Sequence, residues 1–100
     1  MKNESRQIQE LKYRYKLSLD DKANMIDDYF RNVVESKSLD SHMLEEINGF
    51  LHKLAGSSGM YGYEDIASLS RESMNSIQEC RKEDVEKNLV NLRNLLKDYA

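Results

Sequence analysis

Residues 50–62 have the sequence FLHKLAGSSGMYG, and apolar positions in and before this stretch recur at the spacing of an α-helix. The repeat consists of Leu44, Ile47, Leu51, Leu54 and the small Ser58. At about 100° per residue, His52 lies roughly 100° away from this apolar stripe. The sequence therefore predicts a helix that buries its leucines and displays His52 to solvent.

Three glycines surround the histidine on the predicted outer face. Gly56 lies about 40° from His52 around the helix axis, whereas Gly49 lies about 60° and Gly59 about 20° from it. Each glycine inside a helix costs about 1 kcal/mol relative to alanine, so this helix loses roughly 2–3 kcal/mol of propensity around one side chain. Such a loss is typical of a functional site. It leaves the imidazole open to a bulky electrophile on another macromolecule, and phosphoryl transfer fits an exposed imidazole nucleophile best.

The run His52–Gly62, continued by an Ile-Ala-x-Leu segment at residues 66–69, resembles the phosphoacceptor motif of histidine-containing phosphotransfer (HPt) domains. These domains are four-helix bundles that carry phosphoryl groups in two-component phosphorelays. The resemblance implies that His52 is the phosphoacceptor, that Gly56 leaves it exposed and that Gly62 forms the turn after its helix. The remaining chain agrees with the family in length and helical layout.

The chain departs from the family pattern at one position. Many members have lysine three residues after the histidine, where this chain has Ala55, so a cation near the phosphoryl group has to come from elsewhere. Lys53 is the nearest candidate. Asn48, one turn before His52, is placed to accept a hydrogen bond from the proximal ring N–H, which would leave the distal nitrogen as the nucleophile. The expected site is His52 lined by Asn48, Gly49, Lys53, Gly56 and Gly59.

The composition predicts one all-α domain over residues 1–100. The chain has no proline, four glycines and 39% hydrophobic residues, which suffices for one small domain but not for an additional ATP-binding module. A formal charge of −3 with interspersed signs argues against nucleic acid as the main partner. Cys80 is the only cysteine, which favours a reducing compartment. Because the sequence shows neither a signal-peptide pattern nor a membrane-spanning run, we expect a cytoplasmic protein that does not bind a membrane.

Apolar spacing and capping residues divide the chain into five predicted helices. A short N-terminal helix at about residues 3–16, capped by Asn3 or Ser5, is expected to lie against the bundle. Leu17–Asp20 is interpreted as a boundary, and helices follow at about residues 20–37, 41–58, 63–80 and 84–99. Short connections make these four an antiparallel up-down-up-down four-helix bundle, with the short N-terminal helix in addition.

The resemblance implies a phosphoryl carrier without a kinase module. His52 would accept a phosphoryl group from the phospho-aspartate of one receiver domain and pass it to another. The expected partners are response-regulator receiver domains and a hybrid sensor histidine kinase. No cofactor is expected on this chain, because the receiver supplies Mg²⁺ and carboxylates. We expect the carrier to be a monomer.

Two other interpretations stay open. In the first, the chain is a non-catalytic helical adaptor of the same fold that binds a receiver or kinase while His52 remains unmodified. In the second, it is the dimerisation domain of a histidine kinase. The second is disfavoured because Lys53 follows the histidine where those kinases usually have an acid, and because two long helices would suffice for it. Met1 and the predicted first helix favour a free-standing protein over a module of a hybrid kinase.

Overall fold

The structure, a computed structural model, describes residues 5–100 as four α-helices. These are α1 (Arg6–Glu35), α2 (Ser41–Met60), α3 (Glu64–Gln78) and α4 (Lys82–Tyr99). This part of the chain contains no β-strand, so the predicted all-α class is confirmed. The last three helices begin and end within two residues of their predicted bounds. None of the described helices is both long and apolar enough to cross a membrane.

The predicted boundary at residues 17–20 is wrong, because α1 continues through it without interruption. Ser18 does not cap a new helix; its hydroxyl donates to the carbonyl oxygen of Tyr15 at 2.6 Å, within the same helix. Leu19 is fully buried between the buried Tyr15 and Ala23, so the apolar stripe crosses the supposed boundary. A serine that bonds back to its own helix is satisfied without ending that helix. The chain also has no proline or glycine before Gly49 that could break it.

The N-terminal part of α1 does not lie against the bundle as expected. Ser5 is the cap and accepts a hydrogen bond from the Ile8 amide at 3.2 Å, whereas Asn3 and the predicted helix start lie outside the described residues. Residues 5–14 are all exposed, and Ile8 and Leu11 retain 46% and 48% exposure. α1 therefore extends past the other helices, and the molecule measures 53 × 21 × 20 Å.

Contacts between the helices show that neighbours run antiparallel. Lys82 at the start of α4 donates to the Ser36 carbonyl oxygen at the end of α1, at 2.7 Å. Lys97 near the end of α4 pairs with Asp20 in the first half of α1, at 2.6 Å. α1 packs along α4, α4 along α3, and α3 along α2. With short connections at residues 36–40, 61–63 and 79–81, this is an antiparallel four-helix bundle.

All four helices contribute aliphatic residues to one core, and α3 adds serines. The nearly or fully buried aliphatic side chains are Leu19, Ile26, Val33, Ile47, Leu51, Leu54, Ile66, Val85, Leu89, Leu92 and Leu96. Ser70, Ser73 and Ser76 are also buried, and each donates to a carbonyl three or four residues earlier. Because these small side chains make their hydrogen bonds within α3, they need no polar partner on another helix, and α2 and α4 can pack closely on α3.

Two helices end in the same left-handed turn. After α2, Gly62 has φ +89°, and the next amide donates to the Ser58 carbonyl oxygen at 2.8 Å. After α3, Cys80 takes the corresponding position with φ +55°, and the next amide donates to the Ser76 carbonyl oxygen at 3.3 Å. Glycine adopts this conformation without strain, whereas a residue with a Cβ does not.

We expect Cys80→Gly to raise the free energy of unfolding by about 0.5–1 kcal/mol. The left-handed conformation costs an L-residue roughly 1–2 kcal/mol, and the greater chain entropy of unfolded glycine offsets part of the gain. Urea denaturation of the two proteins measures the difference. Glu79→Gly, at the adjacent right-handed position with φ −83°, is the control and should lower the free energy of unfolding. A Cys80→Gly protein no more stable than wild type would contradict the strain argument.

Candidate functional site

α2 presents the candidate site residues on one exposed face. Asp40 caps the helix by accepting a hydrogen bond from the His42 amide at 3.4 Å, and the His42 side chain is exposed on the first turn. The buried residues of the helix are Leu44, Ile47, Leu51, Leu54, Ala55 and Ser58. These include every residue of the predicted stripe, so the opposite face, with His52, is turned to solvent.

His52 is exposed, as the periodicity predicts. Within residues 5–100, no hydrogen bond, ion pair or ring contact reaches its imidazole. Asn48 lies on the preceding turn and is also exposed, but no hydrogen bond joins the two side chains in this structure. Both groups are open to water, which competes for the same hydrogen bonds. The tautomer-fixing role of Asn48 therefore stays a prediction.

The glycines around His52 are not required by packing. A Cβ added at Gly49 or Gly56 would meet no heavy atom within 4 Å, and neither residue has a positive φ. Gly59 is half-buried, and a Cβ there would make an ordinary 3.8 Å contact with the Ala67 Cβ on α3. Gly49 and Gly56 thus lower the helix propensity of α2 without any packing or conformational need, and their effect is to leave space beside the imidazole.

The exposed face of α2, here called the ridge, lies between two surface grooves, and His52 lines neither of them. The groove towards α3, with a volume of about 480 Å³, is called the α3-side groove; residues lining it include Leu44, Glu45, Asn48, Met74, Ile77 and Gln78. The groove towards α1, of about 390 Å³, is called the α1-side groove and is lined by Tyr15, Lys22, Met25, Phe50, Lys53, Leu54 and Ser57. The predicted site residues are therefore divided, with Asn48 bordering one groove and Lys53 the other.

Aromatic side chains connect α1 to the end of α2. The Tyr15 ring stacks on Tyr61 with centroids 4.6 Å apart, and its hydroxyl shares a 2.7 Å hydrogen bond with Ser57. Burial raises the pKa of Tyr15 above its usual range. Further along, the Tyr29 and Phe50 rings meet edge to face at 5.4 Å. These contacts hold α1 and α2 together where their backbones do not pack closely.

Lys22 enters the α1-side groove from α1, and the sequence analysis did not identify it. Its ammonium donates to the Ser18 hydroxyl at 2.9 Å and lies 4.9 Å from the centroid of the Tyr15 ring. Burial lowers the pKa of Lys22, against a smaller opposing effect of Asp21. Lys22 follows Tyr15 by seven residues, so the two lie on the same face of an uninterrupted helix. This spacing is the feature of the sequence that could have indicated the position of Lys22.

The adjacent Asp27 and Asp28 each pair with an arginine. Asp27 accepts a hydrogen bond from Arg93 of α4 at 3.1 Å, and Asp28 pairs with Arg31 one turn later at 3.1 Å. Across residues 5–100, no group of three or more His, Cys, Asp or Glu side chains is arranged to hold a metal ion. Both carboxylates therefore act in ion pairs.

Comparison with known proteins gives one family. The family model described as "Hpt domain" matches residues 18–100, which include α2, α3, α4 and most of α1. No curated protein and no solved structure matches the chain. Hpt domains are phosphocarrier modules of two-component signalling, not kinases, and they interact with receiver domains and kinases. The family model matches most of the chain, and the described residues fold as an all-α four-helix bundle. This chain therefore belongs to the Hpt domain family.

Proposed function

We propose that this chain is a phosphorelay intermediate, which accepts a phosphoryl group on His52 from the phospho-aspartate of one receiver domain and passes it to another. The observation that supports this most is the accessible imidazole. His52 is exposed, has no partner within the described residues, and is flanked by Gly49 and Gly56, where even a Cβ would meet no atom within 4 Å. An imidazole in this setting can be approached by a reactive group buried in a cleft of another protein.

In this proposal the distal ring nitrogen attacks the phosphorus atom in line with the aspartyl oxygen. A P–N bond forms while the P–O bond breaks, and the aspartate leaves as a carboxylate. The receiver supplies Mg²⁺ and carboxylates that neutralise charge in the transition state, and this chain supplies position. The phosphorylated ring carries a positive charge while its proximal N–H remains, so a hydrogen bond from this N–H to Asn48 would stabilise it. Return transfer to a second receiver reverses the same bonds.

Lys53 is the proposed cation beside the phosphoryl oxygens. It follows His52 directly, is exposed, and borders the α1-side groove. Ala55, at the position where many relatives have lysine, is only 7% exposed because it belongs to the buried face of α2. Lys53 is the only lysine of α2, and it is exposed, so it is the cation of this helix that a phosphoryl group on His52 could meet.

Transfer to His52 can be measured by intact-mass spectrometry after incubation with phosphorylated receiver domains and Mg²⁺. We expect a single phosphoryl adduct that is labile in acid, as a phosphoramidate is, and that is absent from His52→Gln. The matched control is His42→Gln, which removes the other exposed histidine of the same helix and should retain the adduct. An adduct that persists in His52→Gln would contradict the assignment. No adduct across a panel of receivers, with the helical fold intact, would favour the adaptor function.

The access argument predicts opposite effects for two substitutions at Gly56. Gly56→Ala should raise the free energy of unfolding by about 1 kcal/mol, since it restores helix propensity in open space, and should retain transfer. Gly56→Leu should keep the helix at least as stable but slow phosphorylation of His52 at least about tenfold, because its side chain covers the imidazole from the next turn.

The control for this pair is Asn91→Leu, an exposed position on α4 away from the ridge, which should leave the transfer rate unchanged. Rates come from quenched time courses, and stabilities from urea denaturation. Phosphorylation of Gly56→Leu at the wild-type rate would refute the access argument.

A further inference from the structure

We infer that two copies of this chain associate through the part of α1 that extends past the bundle, residues 5–14, here called the projection. The two projections lie side by side and antiparallel, and each also contacts the end of the other copy's bundle. This dimer does not depend on the proposed function, and it differs from the monomer that the family resemblance implies.

The inner face of the projection continues the buried stripe of α1. Ile8 and Leu11 precede Tyr15 by seven and four residues, which places all three on one side of the helix. Tyr15 is buried, whereas Ile8 and Leu11 are 46% and 48% exposed and lie outside the core. The apolar stripe therefore runs on past the core that it serves, and its first part is an unpartnered surface.

The end of the bundle beside the projection also presents apolar side chains. The Tyr15 ring stacks on Tyr61, with centroids 4.6 Å apart. Next to this pair, Tyr63 meets Tyr99 edge to face at 4.9 Å. Met60, the last residue of α2, is 75% exposed. The inner face of the projection and this bundle end form a corner, and both of its sides can contact a helix from another chain.

Charge favours a second copy as the occupant of this corner. The projection has three basic residues and one acidic residue, a net charge of +2 in a chain whose formal charge is −3. The bundle end is acidic, with exposed carboxylates on Glu64, Asp65 and Asp98. In an antiparallel pair each basic projection reaches the acidic end of the other copy. An anionic membrane would repel the same carboxylates, so it fits this corner less well.

The spacing of the stripe suits a two-fold axis. When the axis passes between positions 9 and 10, Ile8 of each copy lies opposite Leu11 of the other, and the contact occurs twice. Ten residues form about 15 Å of helix, so the two inner faces and the two end contacts cover roughly 1,000 Å², the lower limit for a specific interface. The dimer is therefore reversible, with a dissociation constant in the micromolar range.

Sedimentation equilibrium of the whole chain, from about 1 to 500 μM, tests this association. We expect a monomer–dimer equilibrium. Leu11→Ser should raise the dissociation constant at least about tenfold, because the lost apolar contact occurs twice. The matched control is Leu17→Ser, the same change roughly 150° around the helix from the stripe, where the leucine is 60% exposed. It should leave the constant within about twofold of wild type.

A charge reversal tests the contact with the acidic bundle end. Arg6→Glu should raise the dissociation constant about threefold or more, because the start of the projection would then meet carboxylates of like charge. The control is Lys87→Glu, the same change at an exposed position of α4, three turns before its end, which should have little effect. Circular dichroism verifies that each variant keeps its helicity. An unchanged constant in Arg6→Glu would contradict the end contact.

Several results would overturn the inference. A chain that stays monomeric up to about 500 μM would do so, as would a dimer that Leu17→Ser weakens and Leu11→Ser does not. Assemblies that keep growing with concentration would contradict the two-fold pairing. Binding of the monomer to vesicles of phosphatidylserine and phosphatidylcholine, lost in Leu11→Ser, would assign the stripe to a membrane instead. Because His52 lies about 12 Å along α2 from the bundle end, the dimer leaves it exposed, and none of these results decides the proposed function.

Discussion

Burial of the leucine face of α2 is the constraint on which the site depends. Leu51 and Leu54 are almost inaccessible to solvent, and each lies within two residues of His52 along the helix. Since the residues of a helix turn as one rigid unit, burying these side chains fixes the rotation of α2 about its axis. His52 therefore points outward without any direct contact of its own. In the proposed function, the bundle would position the nucleophile by packing its neighbours, and the ring would stay free to react.

The uneven packing of the bundle determines the shape of the surface on either side of α2. α2 packs along α3, and α1 packs along α4, whereas α1 and α2 meet through tyrosine, phenylalanine and serine side chains. This leaves the α1-side groove, whose walls belong to two different helices. The Tyr15–Ser57 hydrogen bond and the Tyr15–Tyr61 stack limit how far the helices can separate. The structure thus combines a buried aliphatic core with an open groove whose charged residues are Lys22 and Lys53.

Local patterns predicted the helix of His52 well but did not predict what lies across from it. The stripe from Leu44 to Ser58 is a local feature, and its burial was confirmed. Ser18 and Asp20 also have the composition of a helix start, yet one bonds back to Tyr15 and the other pairs with Lys97 on α4. A partner that far along the chain has no local signature, so the boundary was wrongly predicted.

The same limit explains why the position of Lys22 in the α1-side groove was not predicted. Lys22 and Lys53 line one groove only because α1 and α2 lie side by side, and the predicted break in α1 separated Tyr15 from Lys22. The left-handed conformation of Cys80 was also not predicted, because a cysteine at a helix end gives no sign of it. By contrast, the glycines at positions 49 and 56 were informative from the sequence alone, since their cost to a helix is a local property.

The most direct test of the account is whether the phosphorylated chain returns its phosphoryl group to a receiver domain. The chain is phosphorylated, separated from its donor, and mixed with an unphosphorylated receiver and Mg²⁺ while both masses are followed in time. The account predicts that the isolated chain retains its phosphoryl group, because it lacks the metal and carboxylates for transfer. Addition of the receiver should move the group to the receiver's aspartate. Loss of the phosphoryl group at the same rate with and without receiver, or its retention in both, would contradict a carrier function.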